Sequence, residues 1–244
     1  RKRLPLTASM PAWTSDMDIK ILASGSSGNA YRISDGKTSL LLDAGIPFKE
    51  IQKGCGFRTG SISGCLVTHR HGDHAKAIPK MLQRGMHVYS NDDVAALYPG
   101  VLAMKPLLEY GIGTFSVLPF EVEHDVPCFG YQVESLATGE KLVYITDSAY
   151  VKYTFKGLTH LMVEANYAQE IIVDNAKNER IPVYLAERVI KTHMSIETLL
   201  GLLKANDMSA VRQIYLLHLS DGNSDAEAFK RRVQQETGAE VYIA

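Results

Sequence analysis

A dense cluster of histidine and aspartate lies at residues 68–74, which run Thr-His-Arg-His-Gly-Asp-His directly after an apolar stretch. Imidazole nitrogens and carboxylate oxygens are the usual protein ligands of zinc and similar divalent ions. His69 and His71 are two residues apart, so they cannot share a helix face but can project to one side of a strand end or tight loop. Asp73 and His74 follow at the start of a predicted helix. The spacing therefore predicts that His69 and His71 bind one metal ion, and that Asp73 and His74 bind a second.

Apolar and alternating stretches predict the elements that position this cluster. Strands are predicted at residues 18–23, 30–34, 39–43, 65–68, 115–122, 131–136, 141–145, 161–167 and 214–220. Helices are predicted at residues 48–53, 75–84 and 196–205, and from a capping box at Ser224 and Glu227 to Gly238. Asp43 and Asp147 each close a buried strand, where a carboxylate needs a partner.

Composition sets limits on the kind of protein. The chain has 244 residues, 45% of them hydrophobic, which is ample for a substantial core. Its 26 basic and 27 acidic residues give a net charge of −1, which excludes a protein that coats nucleic acid through overall charge but allows a local basic groove. Three cysteines without a C-x-x-C pair favour a reduced, cytoplasmic setting. No apolar run approaches the ~18 residues of a membrane span.

The first sixteen residues differ from the rest. They begin with Arg1-Lys2-Arg3, but no apolar segment of signal-peptide length follows. Residues 1–16 are therefore interpreted as a flexible extension or a remnant of expression, and residues 17–244 as a single domain.

The pattern His-x-His-x-Asp-His after an apolar strand resembles the signature of the metallo-β-lactamase fold superfamily. The resemblance implies an α/β (α+β) fold, a four-layered αβ/βα sandwich with metals at the strand ends between two sheets. Further motifs resemble the YycJ/WalJ subgroup: residues 21–29, 41–45 and 163–167, together with His193-Met194-Ser195 and His218-Leu219-Ser220. Members of that subgroup are regarded as 5′–3′ DNA exonucleases. The stretch 171–191 matches the subgroup poorly.

The resemblance implies a complete ligand set for two divalent ions. The first ion would be held by His69, His71, His124 and Asp147, and the second by Asp73, His74, His218 and Asp147. Asp43 would support these ligands from behind without binding metal. Zinc suits the all-nitrogen-and-oxygen set, and manganese is the alternative.

Two late histidines need separate roles. In the nuclease branches a histidine before a helix faces the scissile phosphate, and the histidine of a later strand end is the last metal ligand. His193 is therefore assigned to the substrate phosphate or to protonation of the leaving group, and His218 to the metal. The exchanged assignment stays open.

Four residues are candidates for substrate binding. Ser26, Ser27 and Asn29 lie in a Gly/Ser turn whose backbone N–H groups could face an anionic substrate, although a plain hairpin loop also explains the turn. Asn166 lies at the polar end of another predicted buried strand. Arg180, Arg188 and Lys191 add positive charge ahead of His193, and a solvated helix face is the favoured interpretation of each.

Together these features predict a dinuclear metal-dependent phosphodiesterase that acts on DNA ends, most directly a 5′–3′ exonuclease. A water bridging the two ions would be the hydroxide nucleophile, Asp73 would orient it as general base, and His193 would protonate the departing oxygen. A phosphodiesterase for small or cyclic nucleotides, a thioesterase or lactonase, and a non-catalytic metal-binding scaffold are the alternatives.

Overall fold

Two mixed β-sheets pack face to face in the computed structural model, which describes residues 17–244. The predicted extension over residues 1–16 lies outside the described residues. The first sheet has the order β1-β2-β3-β4-β5-β6. Its strands are β1 (Asp18–Ala23), β2 (Ala30–Ser34), β3 (Ser39–Leu42), β4 (Ile62–Leu66), β5 (Val88–Ser90) and β6 (Leu102–Ala103).

The second sheet has the order β13-β12-β11-β10-β9-β8-β7. Its strands are β7 (Tyr110–Ile112), β8 (Phe115–Val122), β9 (Cys128–Ser135), β10 (Lys141–Ile145), β11 (His160–Glu164), β12 (Gln213–Leu217) and β13 (Glu240–Ile243). Strands β10 to β13 run parallel to one another, and β7 to β10 are antiparallel.

Eight α-helices lie within residues 17–244. They are α1 (Phe48–Gly54), α2 (Gly72–Ala75), α3 (Ile78–Gln83), α4 (Asp92–Leu97), α5 (Gln169–Lys177), α6 (Val183–Thr192), α7 (Ile196–Lys204) and α8 (Ala226–Thr237). Helices α1, α3 and α4 bury apolar side chains against the outer face of the first sheet, and α7 and α8 do so against the second. The layers therefore follow the predicted αβ/βα order.

The strand sequences explain why both sheets are covered on both faces. In β3, Leu40 and Leu42 point into the core between the sheets, whereas Leu41 points to the helices outside. In β10, Leu142 and Tyr144 face the central core while Val143 and Ile145 face outward. Because successive strand residues point to opposite faces, a continuous apolar run indicates a strand that is buried on both sides.

Two local predictions were wrong. The helix predicted over residues 75–84 is two short helices, α2 and α3. The chain breaks there because Ala77 donates its N–H to the carbonyl of Ala44, and because Pro79 has no N–H to continue the ladder. The last helix does not begin with the predicted capping box: Asp225 caps it by accepting from the Ala228 N–H, and the Ser224 hydroxyl bonds back to Ser220.

Over residues 17–244, every helix is too short or too polar to cross a bilayer. The three cysteines are free thiols, and all three are buried.

Candidate metal centre

The carboxyl ends of five strands bring the polar residues together. Asp43 follows β3, the loop of residues 68–74 follows β4, Asp147 follows β10, Glu164 ends β11 and His218 follows β12. Strands β3 and β4 are parallel to each other, and so are β10, β11 and β12, so their carboxyl ends meet at one edge of each sheet. This edge is where open α/β sheets bind ligands.

The first residue after three of these strands has a rare backbone conformation. Asp43, Asp147 and His218 have positive φ angles of 57°, 47° and 53°. A side chain other than glycine in this left-handed region costs roughly 1–2 kcal/mol, and such residues cluster at functional sites. All three side chains are buried, so the surrounding contacts hold the strained turns in place.

The first predicted ligand group is assembled in the structure. His69, His71, His124 and Asp147 each offer a ligand atom, and these atoms lie within 4.8 Å of one another. The Nε2 of His69 is 3.0 Å from the Nδ1 of His71, and the Nε2 of His124 is 3.4 Å from that same Nδ1. Burial, together with the neighbouring His74, lowers the pKa of His69 well below its usual range. Imidazole nitrogens and a carboxylate that converge on one point form a donor set that suits a divalent ion.

The second group shares a carboxylate with the first. Ligand atoms of Asp73, His74 and Asp147 also lie within 4.8 Å of one another. The Oδ2 of Asp147 is 3.2 Å from the Nε2 of His74 and 3.8 Å from the Nε2 of His69. One carboxylate oxygen therefore reaches both groups, which is the position that a bridging ligand of a two-metal site takes.

The structure places His218 in a third group of potential ligands. Its Nδ1 is 2.8 Å from Asp147 Oδ1 and 3.0 Å from Glu164 Oε1. The structure groups it with Asp147, Glu164 and His193, and the Asp73 and His74 group does not include it. Burial opposes its charged form, but Asp147 and Glu164 raise the pKa of His218 to about 10. Its role as the last ligand stays a prediction, favoured by its contact with Asp147.

Asp43 lies behind the ligands. Its carboxylate accepts from the Thr68 N–H at 2.8 Å, from the Tyr144 hydroxyl at 2.5 Å and from the Nδ1 of His74 at 2.7 Å. The bond from His74 fixes the ring tautomer and leaves Nε2 facing Asp147. This geometry fits the supporting role predicted for Asp43.

We expect Asp43→Asn to weaken metal binding about 10- to 100-fold, because the amide gives a weaker acceptor for the His74 ring and faces donors with its own NH₂ group. Competition with a chromophoric chelator measures the affinity. Asp35→Asn is the matched control: Asp35 is also buried and accepts from Thr38 and Thr114, but it lies in the β2–β3 turn. An unchanged metal affinity in Asp43→Asn would contradict the supporting role.

The sequence analysis missed the role of Glu164. This carboxylate is fully buried and accepts from the Nδ1 of His193 at 2.6 Å and from the Nδ1 of His218 at 3.0 Å. It also accepts from the backbone N–H groups of Ser148 and Met194. The sequence did offer a signal for Glu164, because a carboxylate ends an apolar strand there, as Asp43 does after β3. Glu164 therefore orients both late histidines.

Asp125 was also missed. Its Oδ1 lies 3.1 Å from the Nε2 of His124 and 3.5 Å from the Nε2 of His71, and its Oδ2 lies 3.8 Å from Arg188. The sequence offered only its position next to His124. Asp125 adds a negative charge at the rim of the first ligand group.

The predicted substrate residues separate into two places. Ser26, Ser27 and Asn166 line an open cleft of about 940 Å³ together with Asp73 and the late histidines. Asn29 is fully buried behind that cleft, where its amide nitrogen lies 3.0 Å from the Nε2 of His74. Of the Gly/Ser turn, the two serines therefore face the space in which a substrate would bind.

Comparison with known proteins identifies similar chains. No family model matches the chain. The exodeoxyribonuclease YycJ of Bacillus anthracis is 28% identical over 240 residues, covering 90% of this chain and 88% of that protein. The exodeoxyribonuclease WalJ of Streptococcus pneumoniae R6 is 27% identical over 228 residues, covering 85% and 83%. The crystal structure of the metallo-β-lactamase fold protein YhfI from Bacillus subtilis has a TM-score of 0.70 at 17% identity, covering 93% of this chain and 96% of that one.

The chain has the metallo-β-lactamase fold. The resemblance to the YycJ/WalJ subgroup, first inferred from short motifs, is confirmed by relatives that align with most of the chain. The fold is confirmed by the solved structure, which matches the two-sheet architecture over nearly its whole length. In a metallo-β-lactamase fold protein, the clustered histidines and aspartates at the strand ends are compatible with a dinuclear metal centre.

Proposed function

We propose that the protein is a dinuclear metal-dependent phosphodiesterase that removes nucleotides from DNA ends, in the 5′ to 3′ direction. The observation that carries the proposal is the pair of nitrogen-and-oxygen ligand groups joined by Asp147 at the floor of an open cleft. The relatives named as exodeoxyribonucleases support DNA as the substrate.

The proposed ligands are His69, His71, His124 and Asp147 for one ion, and Asp73, His74, Asp147 and His218 for the other. Zinc and manganese both suit donors of this kind. When bound, two such ions would acidify a water molecule and neutralise charge on the phosphate. The remaining chemistry belongs to side chains of the cleft.

Asp73 and His193 take the two proton-transfer roles. Asp73 lies on the cleft wall with its side chain partly exposed, so its carboxylate can orient the attacking water and accept its proton. His193 also lines the cleft, and its Nδ1 donates to the buried Glu164, which leaves Nε2 free to face the substrate. Burial opposes a charged His193, but Glu164 raises its pKa above the usual range. The protonated ring therefore persists to a higher pH than a free imidazole would, and it can donate a proton to the departing oxygen.

Linear duplex DNA labelled at either its 5′ or its 3′ end tests the proposal. With Mn²⁺ or Zn²⁺ we expect stepwise shortening from the 5′ end, and no cleavage of a covalently closed circle of the same sequence. Asp73→Ala should stop the digestion, because it removes both a ligand and the proton acceptor. Cleavage of the circle at the same rate would contradict an end-directed activity. Intact linear DNA combined with hydrolysis of a cyclic or linear mononucleotide diester would favour a small-nucleotide enzyme.

A further inference from the structure

Helix α6 forms one wall of the open cleft at the candidate metal centre, which we call the metal cleft. Leu185, Arg188, Val189 and Thr192 line that cleft, and their spacing places them on one helix face. The carbonyl of Thr192 lies 3.1 Å from the Nδ1 of His124, so the end of α6 is tied directly to the first ligand group. The helix is thus positioned by the candidate metal centre.

The adjacent face of α6 borders a second groove. Tyr184, Glu187, Arg188 and Lys191 recur at helical spacing and line it opposite His124 and Asp125, around a volume of about 460 Å³. We call it the Tyr184 groove. His124, Arg188 and Thr192 line both this groove and the metal cleft, so the two spaces are neighbours. The Tyr184 groove is therefore close enough to receive the end of a ligand bound at the metal centre.

The groove combines an exposed aromatic ring with cations. Tyr184 is 74% exposed, so the face of its ring is accessible to a ligand. The side chain of Arg188 is 67% exposed and its guanidinium lies 3.8 Å from Asp125, which leaves most of its N–H donors available. Exposed aromatic rings next to cations are the usual platform for single nucleobases, because every base has a face that can stack.

The charge balance limits what the groove can hold. Arg188 and Lys191 are offset by Glu187 and Asp125, so the groove has no large excess of positive charge. A protein that follows many phosphates needs such an excess. A single nucleotide can be bound by one aromatic ring that stacks on its base and one cation that contacts its phosphate. The groove therefore suits a terminal nucleotide better than a length of duplex.

We infer that the Tyr184 groove binds the terminal nucleotide of the substrate, with the Tyr184 ring stacked on its base and Arg188 contacting its phosphate. This inference rests on the proposed phosphodiesterase function. It assigns a binding role to α6, which lies in the stretch of sequence that matched the subgroup poorly. Arg188, interpreted from the sequence as part of a solvated face, becomes a substrate contact.

Stopped-flow fluorescence with metal-loaded protein and a duplex carrying a terminal 2-aminopurine tests the stacking. We expect rapid quenching on mixing, because stacking on an aromatic ring quenches this base. Tyr184→Ala should lose the quenching, and Tyr184→Phe should keep it. Phe57→Ala is the matched control, since Phe57 is another exposed ring (72%), placed beyond α1. No quenching with the wild type, or equal quenching with Tyr184→Ala, would overturn the inference.

Digestion kinetics separate base stacking from phosphate contact. On ordinary ends, Tyr184→Ala should lower kcat/KM about 5- to 100-fold, the range of one base–aromatic stack. On ends with an abasic terminal residue, the variant should match the wild type, whereas Arg188→Ala should be impaired on both ends. If Tyr184→Ala lowered kcat/KM by the same factor on ordinary and on abasic ends, stacking on the base would be refuted. Tyr184-dependent quenching without metal-dependent digestion would support the groove while rejecting the proposed function.

Discussion

Replacing Asp147 with asparagine is expected to remove both metal ions and to lower phosphodiester hydrolysis by at least about 10³-fold. The reason is its central position. One oxygen lies 3.2 Å from His74 and 3.8 Å from His69, and the other lies 2.8 Å from His218. Asparagine keeps the shape of the side chain but loses its negative charge, so both ligand groups lose the residue that joins them.

Elemental analysis of the purified variant, beside hydrolysis assays, measures this effect. His87→Ala is the matched control, because His87 is an exposed histidine next to Tyr89, on the outer part of the first sheet. It should keep two ions per chain and full activity. An Asp147→Asn protein with two tightly bound ions would contradict the bridging role.

The electrostatics of the site favour the binding of cations there. Burial opposes the charged form of Asp147, yet His74 and His218 hold its pKa well below the usual range. His74, although fully buried, has its pKa raised well above the usual value by Asp147 and Asp43. The raised pKa values of His74 and His218 favour protonated, positively charged rings, whose charge offsets that of the buried carboxylates. Metal ions bound to the same ligands would replace those protons, so metal binding should release protons to the solvent.

The loop of residues 68–74 was predictable from the sequence because its candidate ligands are closely spaced along the chain. Residues 68–74 carry four of the candidate ligands, and a short loop after a strand can direct them only to nearby points. Asp43 and Asp147 were recognisable as carboxylates closing apolar strands. The fold followed from the same pattern, since strands buried on both faces require helices on both sides.

Other parts of the site depend on contacts that no local pattern encodes. Glu164 and His193 are far apart in sequence and meet only because β11 ends beside the start of α7. The predicted helix over residues 75–84 breaks because a distant carbonyl, that of Ala44, accepts from Ala77. Likewise, the lining of the Tyr184 groove depends on how α6 packs against His124. These contacts are set by tertiary structure, which overrides local propensity.

His193→Ala is expected to slow hydrolysis in proportion to the leaving group's need for a proton. On DNA, whose leaving group is a poor alkoxide, we expect kcat to fall about 10²- to 10⁴-fold, the usual contribution of a general acid. On bis-p-nitrophenyl phosphate, the nitrophenolate leaves without protonation, so the loss should be small. Metal content should stay unchanged. Equal losses on both substrates, together with lost metal, would instead assign His193 as the last ligand and His218 to the substrate.

The pairing of His193 with Glu164 makes a second measurement possible. Because the Glu164 carboxylate raises the pKa of His193, the protonated acid persists to higher pH than a free imidazole would. Removing that charge in Glu164→Gln lowers this pKa, so the fall of kcat on DNA at alkaline pH should begin at a lower pH than in the wild type. The profile on bis-p-nitrophenyl phosphate should show no such shift. Glu140→Gln, which changes a buried glutamate at the β9–β10 turn, is the control and should leave both profiles in place. An alkaline limb that Glu164→Gln does not move would show that the carboxylate only holds the ring in place.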